Sequence, residues 1–213
     1  MSNVSIFISF PVGILGFLYF FWKSLKEDYT SDQIFSGAFI VIGFLLFGFI
    51  LGFLGRSLSI NGLKNIFNFS GIWFWTAVIF SCIGFCVAFY KLNLRLFETL
   101  EAVTLGSLFL LFTIFIVNAV LTKDVYLLIF SLLTVALIPF FSFLTKKYKL
   151  FNWYKSGKLG FAGLVCLAAF FLFRVVFALI DPMMLSFVGK FDAILSSITS
   201  FLFFIVLYNL SGS

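Results

Sequence analysis

The sequence predicts an all-α integral membrane protein, a bundle of seven transmembrane helices with the N-terminus outside and the C-terminus cytoplasmic. Composition is the first reason. The 213 residues are 63% hydrophobic and 10% charged, with a mean hydropathy of +1.21, far from the charge content of a water-soluble surface. The second reason is length. The chain divides into seven apolar runs, each close to the roughly 20 residues that cross a bilayer's hydrocarbon core. The third is charge placement. All eight Asp/Glu and thirteen of the fourteen Lys/Arg fall between those runs or at their ends, and Arg174 is the exception.

The predicted spans are residues 4–22, 34–55, 72–90, 102–121, 125–144, 161–180 and 193–210, which make residues 1–213 one transmembrane domain. The first contains Pro11, which kinks a helix. No basic residue precedes it, while Lys23 and Lys26 follow, so it reads as a retained, N-out helix and not as a cleaved signal peptide. Thr30-Ser31-Asp32 stand before the second span and can cap its amides. Inside that span, Gly48 and Gly52 form a small-xxx-small pair suited to close helix approach.

Asn61-Gly62 and Ser70-Gly71 break the chain ahead of the third span, which opens on the aromatic anchors Trp73 and Trp75. Glu98 and Glu101 stand where the fourth span begins and favour its N-terminal dipole. Pro139 interrupts the fifth. Trp153 lies before the sixth, and Asp181-Pro182 ends it. No internal repeat of the inverted-transporter kind is present.

Orientation follows from the basic residues. Connectors 23–33, 91–101 and 145–160 carry nine Lys/Arg, against four in 56–71, 122–124 and 181–192. Positive-inside then places the first set in the cytoplasm. Most of the +6 net charge belongs to the cluster Lys146, Lys147, Lys149, Lys155 and Lys158. Such a cluster suits anionic lipid at a cytoplasmic face, and nothing here points to nucleic acid.

Some chemistry is excluded or unsupported. The chain has no His, the commonest general base and metal ligand. Cys82, Cys86 and Cys166 all lie within spans, and with no other ligand nearby they read as small apolar residues, neither metal site nor disulfide. No cofactor is indicated. The thirty-six Phe and the excess of Lys over Arg are composition bias. The seventh span has no Lys for a retinal Schiff base.

Several stretches carry a family resemblance. Residues 22–34, from Trp22-Lys23-Ser24 to Gln33-Ile34, form a basic segment before the second helix. Gly71-Ile72-Trp73-Phe74-Trp75-Thr76 opens the third. Lys91-Leu92-Asn93-Leu94, Phe97 and Glu101 lead into the fourth, Phe115-Ile116-Val117-Asn118 lies within it, and Arg174-Val175-Val176-Phe177-Ala178 lies in the sixth. In this order they resemble the prolipoprotein diacylglyceryl transferase family, seven-helix enzymes of the bacterial inner (plasma) membrane with an outside N-terminus.

The resemblance implies transfer of a diacylglyceryl group from phosphatidylglycerol to the Cys thiol of a prolipoprotein. Asn118 and Arg174 match the family's motifs. Trp75 stands where its His is expected, Phe115 and Ile50 where two of its Arg are, and Asp181 where a third is. Transfer needs a base for the thiol and cations for the phosphate, and those are the positions that differ.

Arg174 lies about 9 Å short of the end of its span at Ile180. It either snorkels to headgroups or caps carbonyls, or it faces the bundle interior and binds a lipid phosphate. Asn118, three residues from the end of the fourth span, reads alone as an interfacial polar residue. Together the two form a candidate lipid-phosphate site. No carboxylate is expected deep in any span. The functional expectation is a phospholipid-handling membrane protein similar to the transferases, active or catalytically degenerate. The alternatives are a non-catalytic phospholipid-binding or scaffold protein, or a small transporter.

Overall fold

The computed structural model describes residues 3–55, 71–147 and 160–212, without the side chains of residues 3, 4, 211 and 212. Asn61-Gly62, Ser70, Trp153 and Lys149, Lys155 and Lys158 lie outside the described residues. The described chain is helical: α1 Asn3–Leu25, α2 Ser31–Gly55, α3 Ile72–Leu92, α4 Leu96–Thr122, α5 Val125–Lys147, α6 Phe161–Ile180 and α7 Phe191–Gly212. All seven are long and apolar enough to cross a membrane.

Local chemistry sets the helix ends. Thr30 and Gln33 form a capping box at α2: the Gln33 amide donates to Thr30 Oγ1 at 3.5 Å, and the Thr30 amide to Gln33 Oε1 at 3.3 Å. The α4–α5 turn is two residues, with Lys123 left-handed at φ 55° and Asp124 Oδ1 accepting the Leu127 amide at 3.1 Å. Pro11 and Pro139 both stand inside helices. The fourth helix starts at Leu96, ahead of the expected 102. Glu98 and Glu101 therefore belong to its first turns, and both are buried.

Packing is antiparallel and close. Helix α2 lies on α3, α1 on α4, α6 on α7 and α5 on α6. Lipid tails compete for apolar surface as well as Leu does, so contact depends on how near two backbones can come. A Cβ at Gly48 would stand 2.6 Å from the Thr76 carbonyl, and one at Gly52 would strike Trp73 Cα. From the other side, a Cβ at Gly84 would meet Phe44 Cβ at 2.8 Å. The small-residue pair is thus the α2–α3 seam. Gly13 and Gly106 do the same for α1 and α4, against Thr113 and Phe17.

One end of the bundle is fastened by a polar clasp. Tyr29, in the α1–α2 loop, donates from its hydroxyl to Glu98 Oε2 at 2.9 Å and accepts the Arg95 amide at 2.8 Å. Arg95 Nη1 reaches Glu98 Oε1 at 3.0 Å. Burial raises the Tyr29 phenol above its ordinary value, with Glu98 adding to the shift and the Arg95 amide opposing it.

Two predictions follow from these contacts. Gly48→Leu overpacks the seam and should cost about 1–3 kcal/mol, read as a lower unfolding temperature in detergent. Gly43→Ala, on the same helix with nothing within 4 Å of its Cβ, should leave that temperature unchanged or raise it. The clasp supplies a pH test. A raised folded pKa favours the neutral phenol, so its contribution is complete below pH 10.0 and lost as pH rises past it. The stability gap between the wild type and Tyr29→Phe should close above that pH.

Candidate functional site

At the other end of the bundle, a ten-residue segment, 181–190, joins α6 to α7 and turns into the protein. Asp181 starts it: its Oδ1 accepts the Met183 amide at 3.1 Å and its carbonyl accepts the Met184 amide at 3.3 Å. Met184, Ser186, Phe187 and Val188 are buried. Gly189 takes φ +79°, a left-handed turn that glycine permits, and its carbonyl accepts the Asp192 amide at 3.0 Å.

Arg174 holds this segment from below. It is fully buried and faces the bundle interior, not lipid. Its Nη1 donates to Ser186 Oγ at 3.0 Å and its Nη2 to the Ser186 carbonyl at 3.0 Å. The same Nη2 lies 2.7 Å from both carboxylate oxygens of Asp192, which is also fully buried. The guanidinium is covered by Phe74, with its centre 3.7 Å from the ring centroid, and by Phe187 at 4.7 Å.

Asp192 is the hub of the network. Its Oδ2 accepts Trp75 Nε1 at 3.1 Å and the Val188 amide at 3.0 Å, and its Oδ1 accepts Ser196 Oγ at 2.9 Å. Trp73 Nε1 adds a bond to the Leu185 carbonyl at 3.3 Å. A Cβ at Gly71 would overlap the Phe187 carbonyl, so only a residue without one lets α3 start this close to the segment. The result is a charge-neutral site that ties α3, α6 and α7 to one connection.

Several expectations change. Asp192 belongs to the first turn of α7, which begins at Phe191, and is buried instead of lying in an exposed connector; it stands at the end of its span, not deep within it. Trp73 and Trp75 use their indole N–H groups inside the protein, not as interfacial anchors. Asn118 is buried within the bundle near the end of α4; its Nδ2 donates to the Ile114 carbonyl of its own helix at 2.8 Å. No bond joins it to Arg174 among the described residues. Arg174 was expected to offer donors to a phosphate, but both of its η nitrogens are engaged by Asp192 and Ser186. Cys82 and Cys86 are exposed along α3, Cys166 is buried, and no metal-binding cluster occurs among the described residues.

Beside the ion pair lies a cavity of about 320 Å³. Its wall is built mostly by α3 and α4, and six of the seven helices contribute to it, through residues that include Phe49, Phe74, Ala77, Ser107, Phe170 and Phe203. Phe74 is shared: its ring covers the Arg174 guanidinium, and the residue also lines the cavity. Neither Arg174 nor Asn118 reaches the cavity wall. Its hydroxyls are few, and Thr104 is already bonded to the Leu100 carbonyl at 2.7 Å.

No family model, no curated protein and no solved structure matches the chain.

Removing one partner of a buried pair leaves the other charge uncompensated, at about 3–5 kcal/mol. Asp192→Ala should therefore sharply lower the unfolding temperature in detergent. The double change Arg174→Met with Asp192→Leu should recover part of that loss, since no charge is then left alone.

Proposed function

We propose that the chain is a multi-pass membrane protein that binds the hydrocarbon chain of a membrane lipid and performs no chemistry on it. One observation carries this reading: an almost wholly apolar cavity within the membrane-spanning helices. Its volume of about 320 Å³ is at the lower end of the ~300–1,000 Å³ range of ligand pockets. An apolar void there attracts acyl or isoprenoid chains, because water has almost no hydrogen-bonding partners to reward its entry.

Diacylglyceryl transfer, which the family resemblance implies, stands second. It requires a cation free to meet a phosphate and a base for a thiol. Arg174 is already neutralised by Asp192, and Trp75, where the family's His is expected, donates a bond to the same carboxylate. The bacterial plasma membrane and an outside N-terminus remain part of the proposal, supported by the resemblance and by the distribution of Lys/Arg between alternate connectors.

Ser107 lines the cavity from α4. In purified, delipidated protein, a fluorescent acyl-chain probe should bind the wild type and bind Ser107→Phe about tenfold more weakly, a difference of about 1.4 kcal/mol. Absence of probe binding to the wild type would sink the proposal. Lipidated prolipoprotein formed by this chain in cells depleted of their own transferase would put transfer first.

A further inference from the structure

A second lipid-sized feature lies on the outside of the bundle, away from the central cavity. Between α2 and α3 runs a groove of about 540 Å³ lined by Phe39, Ile40, Gly43, Phe44 and Phe47 on one side and Val87 and Lys91 on the other. Gly43 is what opens it, since a Cβ there would meet nothing within 4 Å. Phe39, Phe47 and Val87 are exposed apolar walls. From Phe39 to Phe47 the groove follows about 12 Å of helix axis at 1.5 Å per residue, most of one leaflet's share of a ~30 Å hydrocarbon core.

Lys91 stands at one end of this groove, one residue before α3 ends at Leu92. A Lys at that depth keeps its stem in hydrocarbon and its ammonium in the headgroup layer. Among the described residues no carboxylate pairs with it: the ion pairs are Arg95–Glu98 and Arg174–Asp192. The same end of the bundle carries Lys23, Lys146 and Lys147 in the last turns of α1 and α5, a basic rim that draws anionic headgroups.

We infer that this groove is a binding site for an anionic phospholipid of the adjoining leaflet. Its phosphate pairs with Lys91, and one acyl chain lies across Gly43 between Phe39 and Phe47. The groove supplies apolar length and the lysine supplies charge at the depth where a phosphate lies. Neither feature depends on the central cavity.

The test uses phosphatidylglycerol and phosphatidylcholine carrying a photoactivatable diazirine on the acyl chain, with the full chain reconstituted in nanodiscs and crosslinks mapped by peptide mass spectrometry. Residue-level mapping separates labelling of the groove residues Phe39, Ile40, Gly43, Phe44 and Phe47 from labelling of the cavity wall, to which Leu45 of the same helix belongs. In the wild type, phosphatidylglycerol should label those groove residues several-fold more than phosphatidylcholine. Lys91→Gln should remove that excess, and Gly43→Leu, which fills open space, should reduce labelling by both lipids while leaving the unfolding temperature near that of the wild type. Equal labelling by the two lipids in the wild type overturns the site, as does an excess that survives Lys91→Gln. Labelling undiminished by Gly43→Leu overturns the placement of the chain.

Discussion

A guanidinium buried in a membrane protein has to be neutralised, and Asp192 does this for Arg174 at 2.7 Å. A charge at membrane depth is expensive by itself, and a buried pair repays its desolvation only when the remaining donors and acceptors are satisfied. Here the carboxylate takes bonds from Arg174, Trp75, Val188 and Ser196, and the guanidinium gives two more to Ser186, while its buried Nε has no hydrogen-bond partner among the described residues. Those bonds fix where α7 begins, how 181–190 turns inward and where α3 starts. The segment can be buried because Arg174 and Asp192 satisfy backbone groups that would otherwise face apolar surroundings.

Elsewhere in the bundle the constraint is steric. Glycines let α2 approach α3 and α1 approach α4 closely, while α3 and α4 touch little along their length. Large Phe side chains such as Phe74, Phe170 and Phe203 line the gap between them without filling it. The same choice of residues that makes two tight seams leaves an apolar void beside them. Tight packing and cavity are two outcomes of one distribution of small and large side chains.

Helix number and approximate limits were legible because hydrophobic length is a one-dimensional signal and bilayer thickness sets its scale. The Gly48–Gly52 seam was legible too, since the spacing alone places both residues on one face. Asp192 was not. It lies one residue before the seventh run as drawn from hydropathy, so it looked like connector charge, and its burial depends on how 181–190 folds. The available signal was Arg174 itself: a buried cation needs an anion, and Asp192 begins the antiparallel neighbouring helix. Trp73 and Trp75 misled in the same way, because an aromatic at a span boundary is usually an interfacial anchor and only the three-dimensional fold sets Asp192 and the Leu185 carbonyl in front of their N–H groups. The cavity had no sequence signal at all, since it depends on the spacing between α3 and α4.

The ion pair also bears on where an anionic ligand can be recognised. For Arg174 to engage a phosphate, its bonds to Asp192 must weaken, leaving a buried carboxylate with less than its full charge compensation at a cost of several kcal/mol. The incoming phosphate brings a second negative charge to the same place, and like charges at that distance oppose each other further. A phosphate at Lys91 meets neither difficulty, because that ammonium is at a helix end and no carboxylate among the described residues holds it. Electrostatics therefore separates the two cations: Arg174 secures the fold, and negative charge is met at lower cost at the Lys91 end of α3 than at Arg174.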